Sequence, residues 1–372
     1  MKLGFDAKRI FRNTTGLGNY GRDLVSGLAK FQKEFELHLY HPGSINPQYK
    51  SFSESPYHFH TSDSKLSKYW RTKGIVKNLL SDQIDVYHGL SHELPLGIKK
   101  AGIPTVVTMH DLIIKRVPET FNRFDRSIYN FKNKQALKQA DKVIAISEST
   151  RSDLIEIYGV KGKKIVVIPP TINKTFYEPF TEDELEYRTT ELGLPKDYLI
   201  SVGSVIERKN MLRVVEAYSL LPSEDRIPFV ILGKGNRYLL QVKKAIEQHQ
   251  LGQYFIFMDN VEHIKDLKAC IQGARGMVYP SIYEGFGIPC VEALALGTPV
   301  LSSNISSLPE ASGPTSLLVD PYSTEAIADG LQSILSSDHA NESLVKQGKV
   351  HADQFRQEVL AEKVASLYRS LK

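Results

Sequence analysis

Short apolar, β-branched runs alternate along the chain with longer stretches in which apolar residues recur every three to four positions. The short runs predict β-strands, and the longer stretches predict amphipathic helices. The clearest helical stretches are Gly18–Phe31, Asn210–Leu220, Arg237–His249 and Thr324–Leu335. Regular alternation of strand and helix predicts an α/β protein whose parallel sheets carry helices on both faces.

The predicted strands fall into two groups, and the pattern starts again near Tyr198. The first group is Leu3–Asp6, Phe35–Tyr40, Asp85–His88, Pro104–Met109, Lys142–Ile146 and Ile165–Ile168. The second group is Tyr198–Val202, Pro228–Leu232, Tyr254–Met258, Gly276–Tyr279, Pro299–Ser302 and Ser316–Val319. These twelve predicted strands are too many for one compact sheet. We therefore predict two doubly wound, Rossmann-like domains, 1–170 and 171–352, with a proline-punctuated hinge at 169–180 and an amphipathic helical end. Ligands of such sheets bind outside the carboxyl ends of the strands, so two facing domains predict one interdomain cleft.

Composition narrows the class of protein. Of 372 residues, 41% are hydrophobic and 24% charged, as in ordinary globular enzymes. The only cysteines, Cys270 and Cys290, form no CxxC pair and exclude a disulfide scaffold. The sequence shows no signal-peptide pattern and no apolar run long enough to span a bilayer. These features predict a cytoplasmic protein.

Charge is distributed unevenly between the halves. Residues 1–178 contain 28 Lys and Arg against 17 Asp and Glu, whereas residues 179–372 contain 19 against 25. A basic first half suits an anionic partner such as a membrane surface, nucleic acid or a phosphorylated lipid; a solvated surface without a partner is the alternative. None of the usual nucleic-acid-binding motifs is present, so no nucleic-acid partner is expected.

A glycine loop near the start matches the pattern G-x-G-x-x-G at Gly16, Gly18 and Gly21. A dinucleotide site needs the strand to lead directly into the first glycine, but the predicted strand ends at Asp6. NAD binding is therefore disfavoured. A glycine loop that enters a helix still presents backbone amides and the positive end of the helix dipole, which favours contact with phosphate.

A second glycine-rich segment carries two carboxylates, Glu284 and Glu292. Gly285 and Gly287 allow close approach of a ligand to the start of a predicted helix, and Pro289 suits its first turn. Two carboxylates beside an anion site are typical of binding to sugar or ribose hydroxyl groups.

Cations and a histidine follow other strands. Arg208 and Lys209 come after Tyr198–Val202, where cations oppose the helix dipole and suit a diphosphate. His110 follows the apolar strand Pro104–Met109, at the edge where ligands bind. No D-x-D motif and no P-loop motif occur, so we expect no divalent metal and no cofactor in the donor site.

These segments together resemble a known family. Glu284-Gly-Phe-Gly-x-Pro-x-x-Glu292 resembles the E-x7-E motif of the retaining glycosyltransferases of family 4, which have the GT-B fold. Thr108-Met109-His110-Asp111-Leu112 with Pro118-Glu119 is similar to the mannosyltransferase-like branch. Further matching segments are Gly16–Tyr20, Glu207–Asn210, Tyr279–Ser281, Leu308–Glu310 and Leu318–Pro321.

The resemblance implies a role for each matching position. Glu284 would bind the hydroxyls of the transferred sugar, and Glu292 those of the ribose. Arg208 and Lys209 would bind the diphosphate, and His110 would lie beside the donor sugar as a catalytic residue together with Glu284.

The resemblance also implies contacts made by backbone groups and a return of the chain end to the first domain. The loop at Gly16 and Gly18 would close on the phosphates, Val261 would meet the nucleobase, and residues 353–372 would cross back to the first domain. The amides expected at the sugar and phosphates are those of Gly285, Phe286 and Gly287.

The implied activity is retaining transfer of a hexose, with mannose favoured, from a GDP- or UDP-linked donor to a saccharide or lipid-linked acceptor. Two basic segments with aromatic residues, Lys65–Lys77 and Ile113–Lys142, suggest peripheral contact with an anionic membrane at its inner face; ordinary solvated helices are the alternative. A nucleotide-sugar epimerase, an NAD-dependent oxidoreductase and a non-catalytic sugar-nucleotide binder are the other functions to distinguish.

Overall fold

Two parallel β-sheets, each with its own hydrophobic core, organise the chain. A computed structural model describes residues 1–62, 69–261, 263–336 and 342–372. One unit comprises Met1–Thr171 together with Arg356–Lys372, and the other comprises Ile172–Phe355.

The sheet of the first unit has the strand order β3-β2-β1-β4-β5-β6-β7, and its neighbours pair in parallel. Its central strands are buried on both faces, which explains their continuous apolar sequence. The strands are β1 Lys2–Asp6, β2 Glu36–His41, β3 Tyr57–Thr61, β4 Val86–Gly89, β5 Thr105–Met109, β6 Lys142–Ala145 and β7 Ile165–Val167. The helices between them are α1 Lys8–Arg12, α2 Gly16–Phe31, α3 Ile75–Ser81, α4 Ile113–Arg116, α5 Arg123–Gln139 and α6 Glu148–Tyr158.

The second unit repeats this architecture with the order β10-β9-β8-β11-β12-β13, again parallel. Its strands are β8 Leu199–Val202, β9 Phe229–Leu232, β10 Phe255–Met258, β11 Gly276–Tyr279, β12 Val300–Ser303 and β13 Leu317–Val319. Its helices are α7 Glu182–Glu191, α8 Met211–Ser219, α9 Arg237–Gln248, α10 Ile264–Gln272, α11 Ile288–Leu296, α12 Leu308–Ser312, α13 Thr324–Ser336 and α14 Glu342–Asp353.

The last helix, α15 Gln357–Arg369, belongs to the core of the first unit. Leu360, Val364 and Tyr368 are buried in the same cluster as the apolar face of α2. The Tyr368 hydroxyl lies 2.6 Å from Nδ1 of His88 on β4. The first sheet therefore depends on the two ends of the chain for its core.

Each strand predicted from the sequence is present, with ends that differ by at most one residue. The prediction of two doubly wound sheets is confirmed. Strand β3 was not predicted, although Tyr57, Phe59 and Thr61 are strand-forming residues, because the histidines between them interrupt the apolar run that marks the other strands. The amphipathic segment after Glu342 is two helices, and the break at 354–356 falls where the chain passes from one unit to the other.

Of the basic segment Lys65–Lys77, residues 65–68 lie outside the described residues. Its later part contains a turn of π-helix, Trp70–Gly74, that leads into α3, and the Trp70 indole donates a hydrogen bond to Asn78. Among the residues that the structure describes, no helix has the length and apolarity that a bilayer crossing requires.

Candidate active site

Two neighbouring strands in the middle of the second sheet position the charged residues of the site. β8 pairs with β11, so the loops that follow them start side by side. Arg208 and Lys209 lie in a 3-10 turn, Glu207–Lys209, after β8, and Glu284 lies in the loop after β11. The backbone joins the two loops, because the amide of Ile282 donates to the carbonyl of Arg208 at 2.8 Å.

One carboxylate oxygen of Glu284 contacts both predicted cations. Its Oε1 lies 2.6 Å from Nη1 of Arg208 and 2.7 Å from Nζ of Lys209. The Tyr279 hydroxyl lies 3.3 Å from the same oxygen, and Lys209 donates to that hydroxyl. The three charged side chains are only 11–19% exposed, so this is a largely desolvated ion cluster.

The titration of this cluster reflects its burial. Burial alone would raise the pKa of the Glu284 carboxyl, but the charges of Lys209 and Arg208 outweigh it and hold the pKa below its ordinary value. Burial lowers the pKa of Lys209, against the opposing effect of Glu284. Glu284 is therefore a carboxylate at neutral pH, and it offsets the charge of two crowded cations.

The turn that carries the cations is fixed by Asn210, which adopts a left-handed conformation with φ of 63°. Its buried side-chain amide donates to the carbonyls of Pro280, at 3.2 Å, and Pro321, at 2.7 Å. Asparagine tolerates this conformation better than most residues. Asn210 thereby ties the turn to the loops after β11 and β13.

The loop from Glu284 to Gly287 is held by two serines that precede α12. The hydroxyls of Ser306 and Ser307 donate to the carbonyl of Glu284, each at 2.9 Å, and Ser307 also contacts the carbonyl of Phe286 at 2.7 Å. Gly287 has φ of 119°, and a Cβ there would lie 2.8 Å from the Leu308 side chain. This position therefore requires glycine.

The remaining predicted residues of the second unit lie before α11, within α11, or after the edge strand β10. Gly285 and Gly287 precede α11, and Glu292 lies within that helix, half-buried. The Phe286 ring is buried against Phe355, with ring centroids 5.2 Å apart, so its side chain packs in the core. Val261 follows the edge strand β10, which is separated from β8 by β9.

In the first unit, the glycine loop forms the start of α2. Gly18 requires glycine, because a Cβ there would lie 1.9 Å from the carbonyl of Asn13. Its amide already donates to Oδ1 of Asn13 at 2.9 Å, whereas Gly16 is exposed with open space around it. The Arg22 side chain holds this segment in place, because it donates hydrogen bonds to the carbonyls of Ile10 and Asn13.

His110 follows β5 and is 6% exposed. Its Nε2 lies 2.8 Å from the carbonyl of Leu90, and its ring stacks on His92 and meets the edge of the Tyr20 ring. Since a carbonyl can only accept, Nε2 carries the proton. Burial lowers the pKa of His110 to about 4, so the ring is neutral at pH 7 and Nδ1 has the lone pair. Tyr20 lies in α2, which links His110 to the glycine loop.

The sequence did not predict the residues that hold His110 and the loop at Glu284 in place. His92, with φ of 58°, accepts a hydrogen bond from the amide of His110 at 2.9 Å. Ser306 and Ser307 were also missed. None of the three belongs to a recognisable pattern, because each acts through a loop that only the folded chain brings near its partner.

Replacement of Glu284 by glutamine tests the ion cluster. Glu284→Gln keeps the size of the side chain and leaves two buried cations unpaired, so we expect the free energy of unfolding to fall by about 3–5 kcal/mol at pH 7. The folded-state pKa of Glu284 is lowered, so this stabilisation is complete above the ordinary glutamate pKa of 4.5 and is lost as the pH falls through the folded-state value.

Urea unfolding followed by circular dichroism from pH 7 to pH 3 measures this difference between wild type and variant. The exposed Glu216 provides the control, since Glu216→Gln should change the free energy of unfolding by less than about 0.5 kcal/mol. Equal stability of Glu284→Gln and wild type at pH 7 would show that the cluster does not hold in solution.

Comparison with known proteins identifies the family of the chain. Two family models match the chain: "Glycosyltransferase Family 4" over residues 14–176 and "Glycosyl transferases group 1" over residues 183–351. The O-antigen chain mannosyltransferase B of Escherichia coli is 28% identical over 396 residues, which cover 100% of both chains.

Solved structures show the same fold. A glycosyltransferase from Rickettsia africae superimposes with a TM-score of 0.75 at 20% identity, covering 100% of this chain and 98% of that one. HepE from Anabaena, solved with UDP and glucose, superimposes with a TM-score of 0.74 at 16% identity, covering 100% of both chains. These matches give no support to the epimerase or NAD-dependent oxidoreductase alternatives. The chain belongs to the glycosyltransferases of family 4, with the GT-B fold, and is a hexosyltransferase that uses a nucleotide sugar.

Proposed function

We propose that this enzyme transfers mannose from a GDP- or UDP-linked donor to a saccharide or lipid-linked acceptor, with retention of configuration at the sugar. The observation that carries the proposal is the buried cluster of Arg208, Lys209 and Glu284. The similarity to an O-antigen chain mannosyltransferase supports mannose as the sugar and glycan biosynthesis as the process.

The first step of the proposal is an exchange of partners in the cluster. A diphosphate carries more negative charge than one carboxylate, so it displaces Glu284 from Arg208 and Lys209 when the donor binds. The released Glu284 carboxylate accepts hydrogen bonds from hydroxyls of the sugar. The same residues thus form an ion cluster when no donor is bound, and they form the donor-binding site when it is.

The other parts of the donor contact residues near the cluster and at the start of α2. In this proposal the amides of Gly285, Phe286 and Gly287, which precede α11, contact the sugar and phosphates, and Glu292, one turn into that helix, binds the ribose hydroxyls. Val261 and its neighbours meet the nucleobase through the backbone. Gly16, exposed at the start of α2, supplies further amide contact with the phosphates, as does Gly18 once its hydrogen bonds to Asn13 and to the Thr15 carbonyl break.

The reaction breaks the bond between the anomeric carbon and the phosphate oxygen and forms a bond to the acceptor oxygen on the same face. The acceptor proton passes to the departing phosphate. Negative charge grows on that phosphate, and Arg208 and Lys209, fixed in a desolvated site, stabilise it. Neutral His110 accepts a hydrogen bond from the donor sugar at Nδ1. No divalent metal takes part in this scheme, because two cations and helix ends neutralise the diphosphate.

The acceptor is proposed to bind in a cavity of about 720 Å³ within the first unit. Arg71 lies in its wall, paired with both Asp6 and Glu93. Charged groups of this kind bind sugar hydroxyls, and the adjoining Phe124 and Phe131 are 74% and 60% exposed. This combination suits a saccharide that is attached to an apolar group, as in a lipid-linked acceptor.

A lipid-linked acceptor requires access to a membrane, and we propose contact with an anionic inner leaflet. Phe124 and Phe131 lie on α5, within the basic segment Ile113–Lys142. The same helix borders a second cavity, of about 850 Å³, whose rim is strongly basic. The lysines of that rim are Lys99, Lys134, Lys138, Lys142, Lys161, Lys163 and Lys164. Anionic lipids attract such a surface.

Removal of one cation tests the catalytic proposal. Arg208→Ala should lower kcat by about 10²–10³-fold, because the growing charge on the phosphate loses a fixed partner. The measurement is release of GDP or UDP from GDP-mannose and UDP-glucose in the presence of EDTA. Arg237→Ala, which removes an exposed arginine at the start of α9, should retain wild-type kcat. Wild-type turnover by a folded Arg208→Ala variant would refute the assignment of this site.

Flotation with anionic vesicles tests the membrane proposal separately. The wild-type protein should float with the vesicles at low salt and be released at high salt. At about 1 kcal/mol for each lysine, Lys134→Ala with Lys138→Ala should weaken binding by about 30-fold. Lys243→Ala with Lys244→Ala, on exposed positions of α9, is the matched control. A wild-type protein that stays unbound at low salt would rule out this contact.

A further inference from the structure

The edge of the first sheet carries a group of imidazole and carboxylate side chains that the proposed transfer reaction does not use. Glu36 and His38 alternate along β2 and therefore share one face of the sheet. His38 pairs in register with His58 on β3, and Tyr40 pairs with His60. On the opposite face of the two strands, Leu37 and Leu39 are buried in the core, and Tyr57 and Phe59 pack against it. The polar face is thus a consequence of period-two alternation on two adjacent strands.

Three of these side chains converge on a small volume. Oε1 of Glu36 lies 2.8 Å from Nε2 of His38 and 3.6 Å from Nε2 of His58. All three candidate ligand atoms lie within 4.8 Å of one another. The side chains of Glu36 and His58 are 40% and 53% exposed, whereas that of His38 is 6% exposed. A hydrated ion can reach the group from solvent, while the buried ring provides a fixed ligand.

The other nitrogen of His38 is supported by a chain of hydrogen-bonding groups. Nδ1 of His38 lies 3.0 Å from Nε2 of His60, and Nδ1 of His60 lies 3.5 Å from Oδ2 of Asp82. The Tyr40 hydroxyl donates to the same Asp82 oxygen at 2.6 Å. Histidines that ligate a metal usually donate their second ring proton to such a support, which fixes the tautomer. This chain leaves Nε2 of His38 to act as the ligand.

We propose that Glu36, His38 and His58 form a binding site for a divalent transition-metal ion such as Zn²⁺. Two imidazoles and one carboxylate are a donor set that zinc accepts, and water completes the tetrahedron. The stacked rings of His38 and His58, whose centroids are 4.6 Å apart, require the exposed His58 ring to turn toward the ion. None of these residues belongs to the donor site or to the acceptor cavity, so the inference does not depend on the proposed function.

A competing set, His38, His60 and Asp82, also clusters. It is the poorer site, because Asp82 already accepts the Tyr40 hydrogen bond and because the side chains of His60 and Asp82 are less exposed, at 28% and 26%. These two residues therefore support His38 and are not the ligands. Different substitutions distinguish the two sets.

Titration of the full-length, untagged protein with Zn²⁺ against a chromophoric chelator tests the site. We expect one tightly bound ion, an apparent Kd at least 10-fold higher in His58→Ala and in Glu36→Gln, and a Zn²⁺-dependent rise in Tm that both variants lose. His249→Ala, which removes an exposed histidine of the second unit, should bind Zn²⁺ as the wild type does. Both test positions are exposed enough for the variants to fold, and circular dichroism verifies this.

Three results would overturn the proposal. The wild-type protein fails to bind Zn²⁺, or His58→Ala retains full affinity. The third is that Asp82→Asn abolishes binding while His58→Ala and Glu36→Gln do not, which would assign the ion to the competing set.

Discussion

The central loops of the second unit depend on a single carboxylate shared by two buried cations. Without Glu284, Arg208 and Lys209 would lie close together in a largely desolvated loop region, with a large electrostatic cost. With it, the loops after β8 and β11 close on each other. The arrangement has a functional consequence, because any ligand that replaces the carboxylate must itself be strongly anionic. Stability without donor and the proposed selectivity for a diphosphate thus have the same physical origin.

The sheet topology explains why these residues meet. β8 and β11 are adjacent in space although about 75 residues separate Arg208 from Tyr283, whose carbonyl the arginine contacts at 3.2 Å. Parallel strands direct their carboxyl ends to one edge, so residues that follow neighbouring strands converge there. Asn210, Ser306 and Ser307 then fix the loops through backbone carbonyls. The ion cluster is therefore held by the fold and by neutral hydrogen bonds around it.

Patterning along the chain was sufficient to predict the two sheets, because buried parallel strands have continuous apolar runs and the glycines at 287 and 297 mark the ends of α11. Arg208, Lys209 and Glu284 follow strands, as the sequence indicated, and their roles at the site stay predictions. Pairing between Glu284 and the cations could not be predicted, since it depends on two loops meeting. β3 was missed because His58 and His60 interrupt its apolar run. The support of His110 by His92 depends on a left-handed residue that no pattern signals.

The most direct test of the shared carboxylate is a crystal structure of the enzyme with GDP or UDP bound in the presence of EDTA. We expect Arg208 and Lys209 to contact phosphate oxygens and Oε1 of Glu284 to have moved out of contact with both. A nucleotide bound elsewhere, or bound while both ion pairs of Glu284 persist at 2.6 and 2.7 Å, would show that the diphosphate does not displace the carboxylate.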